Sequence, residues 1–187
     1  GAQTARAVQN FPISGWSLPQ RFLCAMAEIK AAFARAHEES GRLRSEDAQA
    51  IVASAEEVIG GAHWSDFPVD VFQTGSGTST NMNMNEGLAQ LAHRKRRGSP
   101  SANTPIHPND HVNMGQSSND TIPAALRMAS ATLWKEKLSV SLRGLVEELD
   151  RLSQENERKV TLGRTHLMDA VPTTYGRIFN GWSRRLK

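Results

Sequence analysis

No proline occurs between Pro123 and Pro172, and only Gly144 and Gly163 interrupt that run. Its apolar residues keep a helical step. Ile122, Leu126, Ala129 and Leu133 advance by four, three and four positions. After one slip, Leu138, Leu142, Leu145, Leu149 and Leu152 advance by four, three, four and three. That spacing puts the side chains on one face of a helix. It predicts a bundle seam over residues 120–157, in a helix of roughly 35 residues and about 50 Å. The other helices of the chain are too short to cover such a stripe. Partner helices from sequence outside this chain or from other subunits are therefore implied.

Shorter helical patterns precede the seam. Leu18, Phe22, Met26, Ile29 and Phe33 step by three or four and predict a helix over 18–39, ended by Gly41. Ser45, Glu46 and Asp47 offer a cap and an acidic first turn. Ile51, Val52, Ala55, Val58 and Ile59 continue that helix over 46–59, until Gly60 and Gly61 stop it. Thr78 to Asn81 read as caps for a helix over 80–96 through Leu88 and Leu91. Residues 1–17, with Phe11, Pro12 and Trp16, show no period and read as an irregular arm. Gly98 to Pro105 reads as a linker, and Lys159 to Val171 as a break in the helical pattern. Pro172 is read as opening a last helix, 172–187, that carries Phe179 and Trp182. The fold class is all-α with no substantial sheet. A small N-terminal helical domain, 1–115, leads into the first long helices of a truncated central bundle, 116–187.

Bulk properties narrow the function classes. The 187 residues can bury a sizeable core. No apolar run approaches the roughly 18 residues of a membrane span, and no signal-peptide pattern is present, so a soluble, cytoplasmic protein is expected. The single Cys24 excludes an internal disulfide and fits a reducing compartment. The net charge of +3 is too mild to imply nucleic acid. The basic run His93 to Arg97 reads as a solvated helix end, where cations meet the negative pole of the dipole. The chain begins at Gly1 and stops at Lys187 within an unfinished helix, as if cut at both ends.

Three polar junctions carry the chemistry. In the first, Ser117-Ser118-Asn119-Asp120-Thr121-Ile122-Pro123 reads as a helix start, with Pro123 in the first turn where its missing N–H has no partner. Free N–H groups and the positive dipole end attract an anion there, although capping alone also explains Ser, Asn and Asp. Ahead of it stand His107, Asn109, Asp110, His111, Asn113 and Gln116. His107 and His111 have a metal-pair spacing, but Pro108 argues against a continuous helix and no Glu stands where a zinc protease needs one. In the second, Thr74-Gly75-Ser76-Gly77-Thr78 allows a tight turn and a close backbone approach. It lacks the Gly-Lys-Ser/Thr of a phosphate loop and the Gly-x-Ser-x-Gly of a hydrolase elbow, leaving a plain turn or an anion cradle. In the third, His166 stands between Thr165 and Asp169 at a break between helices.

Together these motifs resemble the N-terminal part of the class II fumarases, in the fumarase/aspartase superfamily. The resemblance runs from Gly1-Ala2-Gln3-Thr4 and Asn10-Phe11-Pro12-Ile13 to Phe179. It rests on Thr74-Gly75-Ser76-Gly77-Thr78, His107-Pro108-Asn109-Asp110, Gln116-Ser117-Ser118-Asn119-Asp120 and Gly163-Arg164-Thr165-His166. It implies a helical fold in which four subunits pool their central helices, and a fumarate or L-malate substrate with no metal or organic cofactor. By the same resemblance Ser76, Gly77, Thr78, Ser117, Ser118, Asn119 and Thr165 bind the dicarboxylate, and His166 is an active-site acid/base. His107, Pro108, Asn109 and Asp110 match a secondary carboxylate site. The family's signature loop, with its catalytic serine and its substrate lysine and asparagine, lies beyond this chain. At 175–180 the chain reads Tyr-Gly-Arg-Ile-Phe-Asn where the family has a Gly-Gln-Glu-Phe-Ser run. Aspartate ammonia-lyase of the same superfamily and a non-catalytic helical assembly module are the alternative readings. Ser117-Ser118 favours fumarase over aspartase, since aspartases tend to carry Ser-Thr there.

Overall fold

The computed structural model of the chain describes residues 1–96 and 104–187. The linker expected at Gly98 to Pro105 therefore lies largely outside the described residues. Two compact units are present, Gly1–Ala131 and Thr132–Lys187.

The core of the first unit is made by three helices: α2 (Gln20–Glu39), α3 (Ser45–Ile59) and α4 (Thr78–Lys95). Phe22 and Met26 from the α2 stripe are buried, as are Ile51, Ala55 and Val58 of α3 and Met84 and Leu88 of α4. Between the large side chains lie Ala27, Ala31, Ala48 and Ala55, small enough to let α2 and α3 lie close. Arg96, expected in a solvated helix end, is buried instead. Its guanidinium donates to Asp47 Oδ1 at 2.5 Å, and Asp47 also accepts from Arg44 Nε at 2.8 Å. A cation just past α4 is thus spent inside the fold, where a buried charge requires a partner. His93, Arg94 and Lys95 do occupy the last turn of α4.

The amino-terminal arm departs from expectation. Ala2–Asn10 forms a helix, α1, packed on α4. Its orphan N–H groups at Gln3 and Thr4 both donate to the Glu86 carboxylate at 2.9 Å, and the Thr4 hydroxyl does so at 2.6 Å. A carboxylate at a helix start satisfies free donors and the dipole together. Because that carboxylate is some eighty residues away in sequence, no local cap signals the helix. The irregular stretch that follows is fixed by Asp70, which accepts from the Ser14, Gly15 and Phe72 N–H groups at 2.7–2.8 Å.

The long seam forms α5 (Ser118–Leu133) and α6 (Ser139–Glu155), joined through a π-helical turn at Trp134–Leu138. Leu133 and Ser139 both keep right-handed helical angles. The π turn coincides with the slip in the leucine spacing, where the stripe advances five positions from Leu133 to Leu138. An i→i+5 turn absorbs one extra residue. Pro123 lies inside α5 rather than in its first turn. Having no N–H, it cannot donate the usual i+4 bond to the Asn119 carbonyl, four residues back.

In the second unit α6 packs against α7 (Tyr175–Leu186), burying Leu149, and the Ser183 hydroxyl donates to Asp150 at 2.5 Å. Gly176 is required for this close crossing, since a Cβ there would stand 2.6 Å from the Ser153 carbonyl oxygen. The seam residues Leu138 and Leu145 remain 50% and 47% exposed. Between the helices runs an antiparallel hairpin, β1 (Val160–Thr165) and β2 (Met168–Thr174). Pro172 therefore pairs in a strand opposite Leu162 and does not open the last helix. Thr174 opens it instead, its hydroxyl accepting from Arg177 N–H at 3.2 Å. Among the described residues the hairpin is the only sheet, and its Val and Thr content suits a pleated strand. No helix among them is long and apolar enough to cross a membrane.

Candidate functional site

The Thr74 to Thr78 segment turns on Gly77. Its φ of +68° is left-handed, and its N–H donates to the Thr74 carbonyl at 2.9 Å. A Cβ at Gly77 would meet Ile122 of α5 at 3.0 Å. The glycine thus permits both the turn and a close approach of α4 and α5 at their N-terminal ends. The helix starts at Thr78, two residues earlier than its Thr-rich caps suggest. Its capping acceptor is the side chain of Gln73, whose Oε1 takes the Thr80 N–H at 2.8 Å.

Two helix starts therefore face one another, and their hydroxyls form a row. Ser76 Oγ lies 2.9 Å from Thr78 Oγ1, which lies 3.3 Å from Ser118 Oγ. Ser76 and Thr78 are exposed and Ser118 is half-buried. The two serines of the α5 junction differ in use. Ser117 Oγ accepts from the Asn119 N–H at 3.2 Å, and the Ser117 carbonyl accepts from Thr121 at 3.0 Å. Ser117 is thus the cap, whereas the Ser118 hydroxyl turns to Thr78. Two positive dipole ends and a row of neutral hydroxyls make a place suited to a carboxylate. Asp120, in the first turn of α5, is the acidic group beside them.

Beneath the row lies a group the sequence reading did not single out. Lys30 of α2 is fully buried, and its Nζ donates to Asn81 Oδ1 at 2.8 Å, Asn113 Oδ1 at 2.9 Å and Gln116 Oε1 at 2.9 Å. Burial pushes its pKa down to about 7, while three acceptors for three N–H bonds match the charged form. Asn81 also donates to Asn113 Oδ1 at 3.1 Å and accepts from Thr121 Oγ1 at 3.4 Å. In sequence Lys30 is a lone cation on an apolar helix face, which is the one signal that could have marked it.

Pro108, Asn109 and Asp110 open a π-helical turn, Pro108–Val112, that His107 caps. His107 Nδ1 accepts from the Asp110 N–H at 3.2 Å and lies 3.0 Å from its carboxylate. The His107 N–H donates to His111 Nδ1 at 2.7 Å. The two histidines are thus joined within the turn, and no group of three metal-ligating side chains occurs among the described residues.

Thr165 and His166 belong to the second unit. They stand at the tip of the β1–β2 hairpin, where His166 and Leu167 both take left-handed angles, φ 49° and 62°. A two-residue hairpin with both central residues left-handed normally favours Asn and Gly, and each L side chain there costs roughly 1–2 kcal/mol. Asp169, read as a neighbour of His166, accepts from Arg164 Nε at 3.2 Å. The imidazole is exposed.

Comparison with known proteins bears on these residues. The pattern of one family, described as lyase, matches residues 1–187. A class II fumarate hydratase of Corynebacterium glutamicum is 49% identical over 186 residues, covering 100% of this chain and 38% of the relative. One of Xylella fastidiosa is 47% identical with the same coverage. Among solved structures, a class II fumarase of Schistosoma mansoni superposes with a TM-score of 0.83 at 40% identity, over 100% of this chain and 39% of that one. The chain thus spans about two fifths of the length of the curated relatives it matches.

Proposed function

This chain belongs to the lyase family, and from that membership we propose that the full-length protein is a fumarate hydratase, interconverting fumarate and L-malate. The observation that carries the proposal is the hydroxyl row of Ser76, Thr78 and Ser118 across two facing helix starts. Gly77, Ser117 and Asn119 join this row in holding the dicarboxylate, and Thr165 of the second unit is assigned to the same ligand in the assembled full-length protein. In the dehydration of malate a base, for which the family resemblance points to the catalytic serine of the loop beyond this chain, takes the proton from the carbon beside one carboxylate, and the hydroxyl leaves the next carbon. The first step loads that carboxylate with a second negative charge, and fixed donors aimed at it lower the barrier. His166 gives the departing hydroxide its proton, so that it leaves as water. In the reverse direction it takes one from water, a task an imidazole suits near neutral pH. His107, Pro108, Asn109 and Asp110 form a secondary carboxylate site that takes no part in the chemistry. The reaction is a step of the tricarboxylic acid cycle and the protein works in the cytoplasm.

Assembly is part of the proposal. The half-exposed Leu138 and Leu145 need partner helices, and a homotetramer that pools long helices supplies them. The 187-residue chain, which spans two fifths of its relatives, is expected to self-associate through this face and to have no hydratase activity alone. Light scattering at micromolar concentration reads the first expectation, and a monomer overturns it. The decisive assay follows fumarate absorbance when the full-length protein is given L-malate or L-aspartate. Fumarate from malate supports the proposal, and fumarate from aspartate alone makes the protein an ammonia-lyase.

A further inference from the structure

We propose that Lys30 is a positioning residue of this site. Its buried ammonium, held by the side-chain oxygens of Asn81, Asn113 and Gln116, ties the starts of α4 and α5 together and supplies positive charge behind the dicarboxylate. The inference rests on the hydratase reading for its ligand and on geometry for its place.

Each acceptor is joined to one of the helix starts. Asn81 is three residues into α4 from Thr78, about 4.5 Å along the axis. Gln116 immediately precedes Ser117, the α5 cap, and its backbone carbonyl accepts from Asn113 Nδ2 at 3.0 Å. Thr121 closes the circuit, its hydroxyl shared between the Ser117 carbonyl at 3.1 Å and Asn81 at 3.4 Å. One ammonium thus fixes three side chains from two segments that must stay in register for Thr78 and Ser118 to remain neighbours.

The partners are unusual for a buried lysine. All three are neutral, and no carboxylate is among them. A buried charge is normally paired, because leaving water is costly and a counter-ion offsets that cost. If only cross-linking were required, a neutral side chain or an ion pair would serve with less penalty. Three amide oxygens stabilise the ammonium without cancelling its charge, so its field reaches the two helix starts. A dianionic ligand is the counter-charge this arrangement leaves room for.

The test uses the full-length protein with two substitutions and two readouts, steady-state turnover of fumarate and calorimetric binding of succinate. Lys30→Met removes the charge and the cross-link. Gln116→Glu keeps the lysine but places a carboxylate in the tripod, neutralising the charge while retaining an acceptor. Each is expected to raise the succinate Kd and the fumarate KM about tenfold, with kcat lowered less. A merely structural lysine predicts lower thermal stability with KM unmoved. If Lys30→Met does not fold, Gln116→Glu decides alone. Folded Gln116→Glu with unchanged KM and Kd overturns the role of Lys30 and leaves the hydratase reading intact. Unmodified protein that binds succinate in a Lys30-dependent way without hydrating fumarate overturns the hydratase reading and leaves this one. Neither turnover nor succinate binding by the unmodified protein overturns both.

Discussion

The hydroxyls of Thr78 and Ser118, forty residues apart in the chain, lie 3.3 Å apart across the starts of two helices. Neither serves as the cap of its own helix. Gln73 accepts the Thr80 N–H of α4, and Ser117 accepts the Asn119 N–H of α5. Both hydroxyls are therefore available to a ligand.

That division separates the two serines experimentally. Ser117→Ala should lower stability by about 1 kcal/mol, the usual cost of losing a cap. Ser118→Ala should leave the unfolding midpoint nearly unchanged while strongly reducing malate turnover by the full-length protein. Urea unfolding beside an activity assay checks both. A stability loss from Ser118→Ala with turnover kept would reduce Ser118 to a capping residue.

Gly77→Ala should destabilise the first unit for two separable reasons. Left-handed backbone costs an alanine roughly 1–2 kcal/mol, and the new methyl would press on Ile122 at 3.0 Å. Ile122→Ala in the same chain relieves the contact but not the backbone strain. Measured by denaturation, the added cost of Gly77→Ala should be smaller in the Ile122→Ala background without reaching zero.

His166 and His107 should respond in opposite ways. In the full-length protein His166→Asn is expected to cut malate turnover by about 100-fold or more, the scale for losing a general acid/base. His107→Asn should leave turnover near the unmodified rate, since its partners are Asp110 and its own π-helical turn. Equal losses would assign the roles wrongly.

Asp70 makes the first unit sensitive to acid. The Phe72 N–H, with those of Ser14 and Gly15 and the Ser14 hydroxyl, holds its pKa down to about 2, against an ordinary value of 3.8. The folded pKa is the lower one, so the unfolded chain takes up the proton first as pH falls. Stability from Asp70 is thus fully present above about pH 4 and is lost as pH drops through about 2. Asp70→Asn should unfold more readily at neutral pH, with the gap to the unmodified chain closing between pH 4 and 2. Circular dichroism at stepped pH and fixed urea measures that gap, and a constant gap would contradict the linkage.

Much of the architecture was determined by the sequence alone, because helices that bury one face write their period into the chain. The stripes of α2 and α3 and the leucine seam follow this rule. The five-residue step from Leu133 to Leu138 coincides with the π turn at Trp134–Leu138, but the spacing alone was consistent with one continuous helix over 120–157. The motifs at Ser76, Ser118 and His166 likewise stood out as polar runs at helix breaks. What only the tertiary structure decided depends on partners distant in sequence. Glu86 makes α1 a helix that its own residues do not announce. Asp47 draws Arg96 out of an apparently solvated run. Pairing between β1 and β2 overrides Pro172 as a helix opener, because a strand's hydrogen bonds go to its neighbour and not along its own chain. Lys30 shows the same limit. A lysine on an apolar face has no local signature of function, and its three amide acceptors meet only when α2, α4 and the 113–116 segment pack together.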